Sequence, residues 1–183
     1  MKKLKSLSLI LMAAIMAFSL AFSLKNPANS EPEQTVGLNI GNTAPELVYK
    51  SPEGKDIALS SLRGKLVLID FWAAWCPPCR AENPSLVKAY NTFKDGSFEN
   101  GEGFTIYSVS LDRTREAWVR AIETDKLAWP YHVSDLLFWN SEAAATYSIR
   151  SIPYNYLIDG NGIIIAKYLR GEMLHAKLSE LQK

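Results

Sequence analysis

The chain has 183 residues, 48% hydrophobic and 21% charged, with 20 Lys plus Arg against 19 Asp plus Glu. This is ordinary globular composition and excludes a disordered chain, a collagen-like repeat and a polybasic nucleic-acid binder. The only two cysteines, Cys76 and Cys79, are too few to staple a small secreted scaffold, so stability has to come from a buried core.

Lys2, Lys3 and Lys5 precede Ser6 to Leu24, a run of 19 uncharged residues made mostly of Leu, Ile, Met, Ala and Phe. Without those three lysines the balance is 17 against 19, net −2. A basic start followed by an apolar run is an export signal. Ser19 and Ala21 are the small residues of a possible cleavage before Phe22. As a helix, at about 1.5 Å per residue, the run reaches about 28 Å, nearly a hydrocarbon core. Residues 1–24 therefore read either as a cleaved signal peptide or as a retained anchor crossing the membrane through residues 6–24. No cysteine stands near the end of the run, which speaks against a lipoprotein anchor. Residues 25–42, with Pro27 and Pro32 and no apolar periodicity, read as a linker, and residues 43–183 as one folded domain.

Within that domain, Glu46–Lys50 and Asp56–Leu59 flank a Ser-Pro-Glu-Gly-Lys turn and predict an N-terminal hairpin. Leu66–Trp72 is almost continuously apolar, as expected of a central strand covered on both faces. Pro78–Lys94 has a helical pattern with Leu86, Val87, Tyr90 and Phe93 on one side, and Asp95–Gly103 reads as a loop. Phe104–Ser110 predicts a strand, Thr114–Lys126 a helix with Trp118, Val119 and Ile122 inward, and Tyr131–Val133 a short extended piece before a helix over Ser141–Tyr147. Tyr154–Ile158 and Ile163–Leu169 form a hairpin across Asp159-Gly160-Asn161-Gly162, and Met173–Gln182 closes as an amphipathic helix. This order predicts an α/β three-layer sandwich with a mixed central sheet and helices on both faces.

The informative stretch is Trp75-Cys76-Pro77-Pro78-Cys79-Arg80, where the buried strand runs into a helix. Two thiols three positions apart across a first helical turn are close enough to form a disulfide. The unsatisfied amides and dipole of that turn stabilise a thiolate on the first of them. Cys76 is thus the nucleophile and Cys79, further in and more covered, the resolving thiol. Pro77 and Pro78 fit because the first turn needs no donors there. A zinc site would need about four ligands, and His132 and His175 are remote in sequence. A stapling disulfide closing so small a loop would constrain the unfolded chain little. A Cys-x-x-Cys pair in a strand-to-helix context reads as redox-active.

Asp70-Phe71-Trp72-Ala73-Ala74-Trp75-Cys76-Pro77-Pro78-Cys79 resembles the active-site strand and loop of the thioredoxin superfamily. The lead-in Leu59-Ser60-Ser61-Leu62-Arg63-Gly64-Lys65, with Pro45, is similar to the TlpA/ResA-like exported oxidoreductases within the broader AhpC/TSA-type families. The resemblance spans about residues 43–183 and implies a thioredoxin-like fold, with Thr114–Tyr147 as a central helical insertion. Asp70, inside an apolar strand, should have a raised pKa; the resemblance implies that it moves protons for the resolving thiol, and the alternative is a carboxylate that escapes to solvent. Glu82, three residues after Cys79, resembles an acid kept beside the cysteines; a solvated helix face is the alternative. Ile152 and Pro153 match the cis-proline loop that presents backbone to an extended substrate. Tyr154-Asn155-Tyr156 departs from the threonines found there in many relatives, which bears on which substrates fit. Trp75, with Pro77 and Pro78, would line the partner surface, and Trp72 is either part of it or core. Pro84 stands where thioredoxins have a helix kink, and Trp118, Trp129 and Trp139 read as packing.

The implied activity is thiol:disulfide exchange in the bacterial envelope, with no cofactor beyond the Cys76–Cys79 pair. Its partners would be exported protein thiols or disulfides, apocytochrome c among them, and a membrane thiol-transferring reductant. No nucleic acid is expected, and the chain is read as a monomer. Two rivals share the residues. An AhpC/TSA-type peroxidase would want Pro and Thr where Ile69 and Ala73 stand, and a binding module would use the pair only as a structural disulfide.

Overall fold

The computed structural model describes residues 35–183. The signal or anchor expected over residues 1–24, and the first part of the linker, lie outside the described residues. Among the described residues no helix is long and apolar enough to cross a membrane.

Strands β1 (Val48–Lys50) and β2 (Asp56–Ala58) pair antiparallel as the expected hairpin, followed by a 3-10 turn over Leu59–Leu62 that seats Leu59 and Leu62 in the core. β3 (Leu66–Trp72) is buried at every position and runs into helix α1 (Pro77–Phe93). The stretch expected as loop contains two short paired strands, β4 (Ser97–Phe98) and β5 (Gly101–Glu102). β6 (Phe104–Ser110), α2 (Arg115–Thr124) and β7 (Tyr131–Val133) follow. A 3-10 turn over Phe138–Asn140, which has no apolar period to announce it, precedes α3 (Glu142–Thr146). β8 (Tyr154–Ile158), β9 (Ile164–Lys167) and α4 (Glu172–Leu181) complete the chain.

The central sheet has the order β7-β6-β3-β8-β9; β3, β6 and β7 are parallel, and β8 and β9 antiparallel to their neighbours. The insertion between β6 and α3 therefore contributes an edge strand as well as a helix. Residues 36–43 hydrogen-bond along the start of β9, Gly41 N–H to Ile164 O at 2.8 Å among others.

Side-chain parity along β3 divides the sandwich. Phe71 faces the layer of α3, its ring 5.4 Å from Tyr147, which in turn lies edge-on to Tyr156 at 5.2 Å. Leu68, Asp70 and Trp72 face the other way, toward the layer in which α1 packs against α4. Both parallel crossovers, β3-α1-β6 and β6-α2-β7, advance in one direction across the sheet, so right-handedness puts α1 and α2 in the same layer. The contact is direct: Arg80 of α1 pairs with Asp125 at the end of α2, donating from Nη2 to Oδ1 at 2.6 Å, and Asn83 donates to Oδ2 at 2.6 Å. Burial raises the Asp125 pKa, but these bonds outweigh it and hold the carboxyl below its usual range. α2 buries Trp118 and Ala121, whereas Val119 and Ile122 are only half-buried.

Candidate active site

Cys76 is the N-cap of α1 and is disulfide-bonded to Cys79, with Cα atoms 5.3 Å apart. Its Sγ accepts the Cys79 amide at 3.2 Å, so the free N–H of the first turn is aimed at the first sulfur as the sequence predicts. The expected contrast in cover is small, for Cys76 is 3% exposed and Cys79 1%. Pro77 and Pro78 occupy the first turn and are exposed. Pro84 stands inside α1, removing one donor to the Arg80 carbonyl without ending the helix.

The loop before Cys76 is held from the end of β6. Ala74 N–H donates to both oxygens of buried Asp112, at 3.2 and 3.0 Å, and Ser110 Oγ donates to Oδ2 at 2.7 Å. Trp75 Nε1 donates to Leu111 O at 3.0 Å, and the rest of its ring stands 42% exposed beside Phe138, at 4.9 Å, and Trp139, at 6.0 Å. A groove of about 590 Å³ opens here between Trp75, Arg113, Ala117 and Phe138. Of the two tryptophans proposed for the partner surface, Trp72 is core, at 1% exposed. Trp118 and Trp129 are packed as expected, but Trp139 is 40% exposed and extends the surface of Trp75.

Asp70 does not escape to solvent. It is buried, and burial, then the charge of Glu82, push its carboxyl up to about 7, with Arg170 opposing. Its direct neighbours in register are Ser108 on β6 and Asn155 on β8, and Ser108 is opposite His132 on β7. Residues opposite one another share a face, so a buried polar row crosses four strands under the α1 layer. Among the described residues, Ser108 Oγ and His132 Nδ1 have no hydrogen-bond partner. The row escapes sequence reading because each strand contributes one polar residue and only register aligns them.

Glu82 is half-buried and accepts the Gly171 amide at 2.6 Å, closing the N-terminus of α4. The Ile152–Pro153 bond is cis, as the resemblance implies, and Pro153 is buried. Tyr154 pairs with Phe71, so Pro153 lies at the end of the sheet from which the Cys76 loop leaves β3. Of the three residues that depart from the common pattern, Asn155 turns inward, exchanging hydrogen bonds of 2.7 and 2.8 Å with the main chain of Leu169. Tyr156 is buried and donates to Tyr147 O at 3.0 Å, so only half-buried Tyr154 remains at the rim.

A family model described as AhpC/TSA family matches residues 40–167. Over its whole length the chain is 29% identical to the thiol-disulfide oxidoreductase ResA of Bacillus cereus, covering 98% of that protein. It is 32% identical over 133 residues to the thioredoxin-like protein YneN of Bacillus subtilis, 72% of each chain. Among solved structures, the thioredoxin domain of a thiol-disulfide oxidoreductase from Bacteroides vulgatus superposes with a TM-score of 0.70 at 40% identity, over 79% of this chain and 98% of that one. The C-terminal domain of a thiol-disulfide oxidoreductase from Bacteroides thetaiotaomicron gives 0.71 at 34% identity, over 79% and 96%. Family model, relatives and sheet topology agree on one placement: the chain belongs to the AhpC/TSA family of the thioredoxin superfamily and is a TlpA/ResA-like thiol-disulfide oxidoreductase.

Proposed function

We propose that the protein reduces disulfides in exported proteins of the bacterial envelope, the haem-binding cysteines of apocytochrome c among them. The observation that carries this reading is the Cys76–Cys79 disulfide at the first turn of α1, with a main-chain amide on Cys76 Sγ and the acids Asp70 and Glu82 in the same layer.

The reduced Cys76 thiolate attacks one sulfur of a substrate disulfide; the S–S bond breaks, and the other substrate sulfur leaves as a thiolate and takes a proton. Asp70 accepts the proton of Cys79, a transfer suited to a carboxyl that titrates near neutrality. Cys79 then attacks Cys76 Sγ, the mixed disulfide breaks, and the second substrate thiolate departs with the proton that Asp70 had accepted, which returns Asp70 to its carboxylate. The substrate has gained two electrons and two protons, and the protein is left with the Cys76–Cys79 bond. Glu82 adds negative charge beside Asp70 and fixes the start of α4. Trp75, Pro77, Pro78, Ile152 and Pro153 form the rim against which the substrate chain lies. A membrane thiol-transferring protein restores the dithiol, and no cofactor enters the cycle. Residues 1–24 serve as signal or anchor, residues 25–42 as a linker whose last part docks on β9, and residues 43–183 as the thioredoxin-like domain, working as a monomer without nucleic acid.

A Cys79→Ser variant of the full chain, expressed in a bacterial envelope, tests this. It should accumulate mixed disulfides with exported proteins that dithiothreitol releases, and an empty trap sinks the reading. The equilibrium potential of the pair should lie toward about −270 mV; a value near −120 mV reverses the direction of electron flow.

A further inference from the structure

The short segment between β9 and α4 joins two parts of the site that are distant in sequence. Arg170 Nη2 donates to the Pro153 carbonyl at 2.6 Å, and the amide of Gly171, the next residue, donates to Glu82 Oε1 at 2.6 Å. Two adjacent residues thereby grip the cis-proline loop and the dithiol helix from one point. The segment is itself anchored: Tyr168 N–H donates to Asn155 O at 2.9 Å, and Leu169 is bonded on both sides by the Asn155 side chain. The Arg170 guanidinium is half-buried over the Tyr168 ring, 4.9 Å from its centroid. Among the described residues it has no carboxylate at ion-pair distance. A cation placed this way satisfies a neutral carbonyl without being neutralised by an ion pair.

We infer that Arg170 is a positioning residue of the dithiol site: it fixes the Pro153 carbonyl, and with it the loop an extended substrate meets, relative to α1. This rests on the exchange chemistry proposed above for Cys76 and Cys79. The groups facing Asp70 are Glu82 from α1, Arg170 from the segment before α4, Ser108 from β6 and Asn155 from β8, with His132 one strand further. In the oxidised protein the two sulfurs do not titrate. Glu82 raises the Asp70 pKa and Arg170 lowers it, so removing the guanidinium leaves Glu82 unopposed.

The test compares the full chain with Arg170→Met and Arg170→Lys. In the oxidised proteins the Asp70 carboxyl is titrated by carbon-13 NMR, a readout that needs no activity. In the reduced proteins kcat and KM are measured on a disulfide-bearing peptide. Arg170→Met should move the Asp70 midpoint upward and raise KM several-fold. Arg170→Lys, which keeps the charge and a donor, should bring the midpoint back and recover part of KM. If Arg170→Met does not fold, Arg170→Gln is read in the same way. An unmoved midpoint together with an unchanged KM in a folded neutral variant overturns the proposal, as does a folded Lys variant that rescues neither. A wild-type chain with no reductase activity counts instead against the proposed function, and the titration still decides whether the Arg170 charge acts on Asp70.

Discussion

Replacing Asp70 by Asn should stabilise the oxidised protein, and the gain should grow with pH. Asp70 is buried and its carboxyl titrates near 7 in the folded chain, against 3.8 for an unperturbed aspartate. Between those values the unfolded chain has released the proton and the native chain still holds it, so the unfolded state binds fewer protons and wild-type stability falls as pH rises. A displacement of about three pH units, at 1.36 kcal/mol each, sets a ceiling of about 4 kcal/mol by pH 7. Relaxation and water entry on ionisation bring the measured value below that ceiling. Asn keeps the shape and cannot ionise. The assay is urea unfolding of wild type and Asp70→Asn with the disulfide intact, from pH 4 to pH 8. The difference in unfolding free energy should be smallest near pH 4 and increase toward pH 7; the other titrating groups cancel in it. A difference that is flat across the range, or that shrinks with rising pH, would refute the assignment of a buried, proton-holding Asp70. The same variant, once reduced, should lose most of its rate in the step that needs the Cys79 proton removed.

His132 is held neutral by burial, its pKa lowered from 6.5 to about 4, so stability that is full above pH 6.5 should be lost as pH falls toward 4. His132→Gln should flatten that acid limb in pH-dependent urea unfolding by up to about 3 kcal/mol; an unchanged limb would contradict the reading. Asn155→Ala strands the buried amide and carbonyl of Leu169, which should cost about 3 kcal/mol in the same unfolding assay, and a loss under about 1 kcal/mol would mean that water replaces the side chain.

The sandwich is legible because its central strands are long apolar runs and its helices carry a 3.6-residue period with side-chain caps, Thr114 before α2 and Ser141 before α3. The dithiol is legible because Cys76 and Cys79 are local to one turn. What escapes has one cause, that it depends on register or on distant segments. Ser108, Asp70, Asn155 and His132 form a row only once four strands are aligned. Asp112 belongs to the site because the end of β6 lies beside the loop after β3, and Arg170 because the segment before α4 returns to the Pro153 loop and to α1. Trp139 reads as packing from its type alone, whereas the non-periodic turn that carries it directs its ring outward beside Trp75.

The proposed direction of electron flow can be weighed against how the site treats negative charge on sulfur. The disulfide of such a pair is a strong oxidant when the thiolate of its reduced form is well stabilised. Here Cys76 Sγ receives one main-chain amide and the dipole of α1, both favouring the thiolate. Against them stand burial, at 3% exposure, and two acids in the layer of α1. Arg80, the nearest cation in sequence, is committed to Asp125 and the Ala74 carbonyl. Arg170 is bonded to Pro153, and its charge acts on Asp70. On the proposed reading, a thiolate with so few counter-charges is weakly stabilised, which favours the disulfide in the couple and makes the dithiol a reductant. Glu82→Gln removes one opposing charge and should make the pair more oxidising; a potential that moves the other way would mean that Glu82 acts on the site only through its bond to Gly171.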